Sequence, residues 1–424
     1  MNSLRRMSSF KSILGGDRSS SPRFEGASSS SSPPSRVEIE FDLHPKLKQL
    51  SELHQSVWWD SLGRAQLRDG SLAGLIALGV TGVTSNPVIF EQAILSNAEV
   101  YEEEMVELLA TRRASAMTIY ETLAIRDVQD AADLLLSVYE ETDGFDGFVS
   151  FEVSPDLAHR SRVTIEEAHR LAASINRPNL MIKIPATRAG LDAIRVLTAD
   201  GLNINVTLIF DRQTLQLVTD AFMSGLEKRA NLGKPIDRIS SVASFFVSRI
   251  DSAIDPLLQI RLQDPSQNRA MIGGMIGQVA ISNAKLAWQD GQAILKTPRW
   301  QALAALGAKP QRLLWASTGT KNPDYTDLHY VETLVGGDSV NTMPPSTLNA
   351  LLDHGQLSQE TLCLGLTEAE QTMQNLAELG IDFSLITNKL SHDGIRIFVE
   401  ASERLLKAIN RKQAALNPSG KNRS

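Results

Sequence analysis

Only one cysteine, Cys363, occurs in the 424 residues. That count excludes an intrachain disulfide and a cysteine-based metal site. Beside apolar, helix-forming neighbours, Cys363 reads as a packing residue rather than a nucleophile. Histidine pairs are also missing: the seven histidines form no HxH or HxxxH spacing, so the sequence gives no support for a metal centre. Excess positive charge is absent. The net charge is −7 with 21% charged residues, which argues against a nucleic-acid binder, whose phosphate contacts need clustered Lys and Arg. No apolar run approaches the roughly 20 residues that span a bilayer, so a soluble protein is expected. After the first strand-like run stands Asp60-Ser61-Leu62-Gly63-Arg64, which is not a GxGxxG dinucleotide loop.

What is present begins with a leader unlike the rest. Residues 1–36 hold Arg5, Arg6, Lys11, Arg18, Arg23 and Arg36 against Asp17 and Glu25, with a serine tract at Ser28–Ser32 that ends in Pro33-Pro34. Such a segment cannot bury enough apolar surface to fold. Rich in Ser and Arg, poor in acids and lacking an apolar h-region, it fits an organelle transit peptide better than a secretory signal. A plastid address is the first reading, a mitochondrial address or an uncleaved disordered tail the alternatives, the last leaving the protein cytoplasmic. A folded domain is expected over 37–410, followed by a basic disordered tail over 411–424.

Within that domain 42% hydrophobic content supplies a sizeable core. Short β-rich runs alternate with longer helical stretches. The runs are Ser56–Trp59, Gly82–Ser85, Phe148–Val153, Leu180–Ile184, Asn203–Leu208, Ile239–Phe246, Leu313–Ser317 and Ser339–Thr342. Amphipathic helices are expected at Val100–Arg113, Ala116–Tyr139, Thr164–Ile175, Ala189–Thr198, Gln213–Lys228, Ser266–Gln289, Glu368–Glu378 and Gly394–Ala408. Eight strand–helix units predict a closed (β/α)₈ barrel with extra helices.

Strands buried on both faces should be almost wholly apolar, so their polar residues carry the information. Met181-Ile182-Lys183-Ile184-Pro185 places a lysine inside such a strand. If the isoleucines face the helices, alternation turns Lys183 into the barrel. A desolvated lysine can lose its proton and attack a carbonyl, whereas a lysine at a strand end can simply reach solvent. Glu152 ends the preceding strand; Asn205 and Thr207 share a face of the following one, and Ser244 and Phe246 share a face of the next. Asp60 and Asn86 end the first two strands, where each could equally be a helix cap or turn residue. All lie at C-terminal strand ends, where barrel enzymes hold their active sites. Arg249, with Ser317 and Lys321 in the loop after the seventh strand, are candidate ligands of a phosphate. Arg249 could instead pair with Asp251 or Asp255.

The segments Gly82–Pro87, Met181–Thr187, Gly201–Leu208, Ser244–Asp251 and Val340–Pro345 resemble transaldolase, in that family's order, over about residues 45–410. The resemblance implies a class I aldolase-like barrel that needs no metal or organic cofactor. It implies transfer of a dihydroxyacetone unit from sedoheptulose 7-phosphate or fructose 6-phosphate to an aldose phosphate, within the pentose phosphate pathway. By position, Lys183 matches the Schiff-base lysine and Asp60 the acid/base on the C4 hydroxyl. Glu152 and Thr207 match the pair that places a water for proton transfer. Asn86, Asn205 and Ser244 match residues that hold the three-carbon unit, and Arg249 matches a phosphate-binding arginine. Phe246 matches a phenylalanine that favours transfer over free aldol release. A Schiff-base aldolase and a catalytically dead barrel are the competing readings. The longer loop with Ser317, Thr318 and Lys321 departs from shorter members, which carry a second arginine there. Monomer and homodimer both stay open.

Overall fold

Eight parallel strands close on themselves: β1 (Gln55–Trp59), β2 (Gly82–Thr84), β3 (Phe148–Glu152), β4 (Leu180–Pro185), β5 (Asn203–Ile209), β6 (Ser241–Phe246), β7 (Arg312–Ala316) and β8 (Ser339–Met343). The order is sequential, and β8 pairs with β1 to seal the barrel. The computed structural model describes residues 39–110 and 115–416. The expected leader over 1–36 and the end of the expected tail lie outside the described residues. Every residue of β2, β3, β4, β6 and β8 is buried, as a sheet covered on both faces requires.

Helices form the outer layer, several of them presenting an apolar stripe to the strands. The helix Arg188–Asp200 buries Ala193, Ile194 and Leu197, each larger side chain contributing about 1.5–3 kcal/mol. Its start is fixed by Thr187, whose side chain accepts the Gly190 N–H, and its end by Gly201 at φ 106°. Among the described residues, no helix is long and apolar enough to cross a membrane.

Three expectations need correction. The stretch expected as one helix over Ser266–Gln289 is two, Arg269–Met275 and Val279–Ile294. Gly277 breaks it at φ 72°, where the Tyr325 ring would lie 2.9 Å from a Cβ. The helix expected at Gly394–Ala408 is the middle of a far longer one, Phe383–Leu416, which carries Arg411 and the first residues of the expected tail within it. Cys363 sits exposed on a turn, its thiol toward the Glu360 carbonyl at 3.8 Å, and packs no core.

The N-terminal end of the barrel is plugged. Arg312, at the start of β7, donates to Ser56 Oγ at 2.6 Å and to the Asp338 and Ser339 carbonyls at 2.9 and 3.0 Å. Asp146 lies 3.5 Å from Arg312 and accepts from Trp58 Nε1 (2.7 Å) and Thr81 Oγ1 (2.9 Å). These polar groups satisfy one another, which leaves the opposite mouth for chemistry.

The helix break is held by two carboxylates. Asp251 accepts from Ala280 N–H (2.8 Å) and the Tyr330 hydroxyl (3.0 Å), and Asp255 from Gly277 N–H (3.1 Å) and the Tyr325 hydroxyl (2.6 Å). Burial, reinforced by the Asp255 charge, pushes Asp251 up to about 7. A carboxyl raised above its unfolded value of about 3.9 favours folding most below that value, and the contribution is lost as pH rises through about 7. Asp251→Asn is therefore expected to flatten the fall in melting temperature between about pH 5 and about pH 8, by several degrees. Melting curves of both proteins at the two pH values check this.

Candidate active site

At the C-terminal mouth, β3 and β4 are registered with Glu152 beside Lys183, and β4 and β5 with Lys183 beside Asn205. Alternation then delivers all three side chains to the barrel interior. Lys183 Nζ donates to the Ser85 carbonyl at 3.0 Å and lies 3.6 Å from Glu152 Oε2, an ion-pair separation longer than a hydrogen bond. The two side chains are only 5% and 3% exposed, so the lysine is a buried group and not one reaching to solvent. Burial pushes Glu152 up to about 7, with the Lys183 charge acting the other way. A carboxyl that titrates there can give or take a proton at neutral pH.

Asp60 follows β1 and is held by Thr84 Oγ1, which donates at 2.6 Å and itself meets Thr342 Oγ1 at 2.6 Å. Thr84 has one hydroxyl proton. With Thr84 donating to Asp60, Thr342 donates to Thr84, and the carboxylate is fixed through the two strands that flank β1. Burial raises the Asp60 pKa, opposed by Lys183, by the Thr84 hydrogen bond and by Arg249.

A second polar chain crosses the adjoining strands. Ser244 Oγ donates to Asn205 Oδ1 at 2.7 Å, and Asn205 Nδ2 donates to Ser150 Oγ at 2.9 Å. The carboxamide is thus locked in orientation, with one N–H still to offer. Glu152 Oε2 and Thr207 Oγ1 are both buried with no hydrogen-bond partner among the described residues. After Thr207 the strand bulges, between Val206 and Ile209 in its pairing with β6, and Leu208 takes φ 61°.

The rim is cationic. Arg249 lies over the Phe246 ring, its guanidinium carbon 5.4 Å from the centroid, and Phe246 packs on Phe210 at 5.1 Å. Asp251 and Asp255 are committed to the helix break, and Arg249 makes no ion pair among the described residues. Burial lowers the Arg249 pKa, against the Asp60 charge. Desolvation and then Arg249 itself lower that of Lys321, which places the two cations within electrostatic reach of each other. Two neighbouring cations that form no ion pair among the described residues suit an anion.

Two expected residues stand differently. Asn86 is a helix N-cap, its Oδ1 accepting the Val88 and Ile89 N–H groups at 2.9 and 3.0 Å, which leaves only its N–H₂ end for a ligand. Ser317, at φ 57°, is tied to Ser248, whose Oγ donates to the Ser317 carbonyl at 2.6 Å. Among the described residues its hydrogen bonds run to Ser248 and not to Lys183, Glu152 or Asp60.

Sequence reasoning missed Ser150, Thr84 and Thr342. Each had a usable signal: Ser150 and Thr84 sit two residues before Glu152 and Asn86, and Thr342 is a polar residue inside a buried strand. Phe398, whose ring centroid lies 6.0 Å from Lys183 Nζ, gave no such signal.

The comparisons with known proteins agree with this geometry. The family described as transaldolase/fructose-6-phosphate aldolase matches residues 57–409. The transaldolase of Trichodesmium erythraeum (strain IMS101) is 41% identical over 377 residues, covering 88% of this chain and 98% of its own. Transaldolase 2 of Nostoc sp. (strain PCC 7120) is 43% identical over 380 residues, with coverage of 88% and 98%. The transaldolase of Thiobacillus denitrificans is 44% identical over 364 residues, with coverage of 85% and 99%.

Proposed function

The chain belongs to the transaldolase/fructose-6-phosphate aldolase family, and from that premise we propose that Lys183 forms the Schiff base through which it moves a dihydroxyacetone unit between sugar phosphates. It is an enzyme that transfers aldehyde or ketone residues. The observation that carries the residue assignment is Lys183, buried beside a carboxyl that titrates near neutrality.

The reaction follows from the side chains. The Lys183 amine attacks the C2 carbonyl of a ketose phosphate, sedoheptulose 7-phosphate or fructose 6-phosphate, and the carbinolamine loses water to give an iminium. Glu152 moves the protons of that step through one water, which would also satisfy Glu152 Oε2 and Thr207 Oγ1. The iminium draws the C3–C4 electron pair while Asp60 takes the C4 hydroxyl proton, and the aldose phosphate leaves. The enamine on Lys183 then attacks an acceptor, glyceraldehyde 3-phosphate or erythrose 4-phosphate, and the steps reverse. Asn205, Ser244 and the free end of Asn86 hold the hydroxyls of the three-carbon unit. Arg249 and Lys321 bind the phosphate, with Ser317 at the edge of that loop. Phe246, apolar beneath Arg249, disfavours release of the three-carbon unit to water. The leader over 1–36 supports a plastid stromal address on its composition.

With fructose 6-phosphate as donor and erythrose 4-phosphate as acceptor, the expected products are sedoheptulose 7-phosphate and glyceraldehyde 3-phosphate. Arg249→Ala is expected to raise KM for phosphorylated substrates about tenfold to a hundredfold with a smaller change in kcat, the loss of a charge-assisted contact. Steady-state kinetics measure both, and an absence of transfer in the native chain contradicts the assignment.

A further inference from the structure

We propose that Phe398, on the C-terminal helix, is a specificity-determining residue: it keeps water from the carbon unit held on Lys183 and so favours transfer over release. The inference rests on the Schiff-base reading of Lys183.

The helix Phe383–Leu416 lays one stripe against the barrel. Thr387, Gly394, Phe398, Ala401, Leu405 and Ile409 are buried at intervals of three, four and seven residues, a single helical face. Gly394 permits the approach, since a Cβ there would stand 2.7 Å from Leu208 Cδ2. Leu208 is the residue at the β5 bulge, directly after Thr207. The helix thus seats on the strand that carries part of the proton machinery. Further along, Arg404 grips Glu91 through two hydrogen bonds of 2.6 and 2.8 Å, and Lys412 meets Glu102 at 3.1 Å.

So placed, Phe398 is 4% exposed and its ring faces Lys183 Nζ at 6.0 Å. That nitrogen also donates to the Ser85 carbonyl and lies 3.6 Å from Glu152 Oε2, both polar. The ring is the apolar wall of the nitrogen's surroundings, with no proton to give and no site to hold a water. Release requires both. The enamine carbon must take a proton, and water must then add at C2 and expel the lysine amine, freeing dihydroxyacetone. That water balances the one lost when the imine formed. Phe246 is a different ring, beneath the Arg249 guanidinium.

The test uses the full chain with Phe398→Ala and the near-isosteric Phe398→Tyr, which keeps the packing and adds a hydroxyl over the lysine. Free dihydroxyacetone formed without acceptor is measured against sedoheptulose 7-phosphate formed with erythrose 4-phosphate. This ratio does not depend on how much of the enzyme is folded. Both variants are expected to raise release relative to transfer by about tenfold or more. Should the alanine variant fail to fold, the tyrosine variant decides. Borohydride trapping runs alongside. An adduct on Lys183 with an unchanged ratio in the tyrosine variant overturns this inference alone. No adduct on Lys183 in the native chain overturns the Schiff-base reading and this inference with it.

Discussion

Lys183→Ala is expected to lower transfer by roughly ten-thousand-fold or more, because the proposed route needs its nitrogen for the iminium. Lys183→Arg separates that role from charge. A guanidinium keeps the positive charge beside Glu152, yet it stays protonated at any working pH and cannot condense with a ketone. The arginine variant is therefore expected to be as inactive as the alanine variant while melting closer to the native protein. If arginine retained a tenth of the activity, Lys183 would be an electrostatic residue and the covalent route would be wrong. Initial rates with both substrates, taken with melting curves, decide between these outcomes.

The second large effect distinguishes the two carboxyls. Asp60→Asn and Glu152→Gln are each expected to cost about a hundredfold to ten-thousand-fold in kcat, the usual worth of a placed acid or base. They should fail at different steps. In the proposed assignment Asp60 accepts the C4 hydroxyl proton, so without it the imine should form and not split. Borohydride then traps the intact six-carbon phosphate on Lys183 in Asp60→Asn. Glu152 is assigned to imine formation in the same proposal, so Glu152→Gln is expected to slow the appearance of any adduct. The pH dependence carries the same distinction. Glu152 is pushed up to about 7 by burial, so the native rate should titrate near there, and that limb should vanish in Glu152→Gln. An unchanged pH profile in Glu152→Gln would move the proton transfer to another group. A six-carbon adduct found equally in both variants would remove the division of labour argued here.

Much of the site was legible because a parallel barrel makes polar residues conspicuous. Lys183 in a run of Met, Ile and Pro, Glu152 beside Phe and Val, and Asn205 and Thr207 on one face of β5 all break an otherwise apolar pattern. The strand ends were legible to within one or two residues for the same reason, as hairpin-free strands must be bounded by turns and caps. What periodicity could not give was tertiary. Gly277 in its left-handed conformation splits a helix whose apolar spacing runs on through the break. Phe398 carries the spacing of an ordinary core residue, and only the seating of its helix over the barrel mouth brings it to Lys183. Leu208 at φ 61° looks in sequence like the next residue of a strand, yet it sits in a bulge that shifts the register with β6 before pairing resumes at Ile209. Asn86 was legible as a polar strand end, while its division into a capping oxygen and a free amide needed the hydrogen bonds. For Arg249 the sequence offered a local ion pair or an anion site, and only the structure shows Asp251 and Asp255 held by backbone N–H groups and tyrosine hydroxyls instead.

The covalent role of Lys183 is the claim on which the other assignments depend. Incubation with fructose 6-phosphate and borohydride, followed by peptide mass spectrometry, tests it most directly. The account predicts a reduced three-carbon adduct on Lys183, absent from Lys183→Ala. An adduct on another lysine, or none at all, would contradict it.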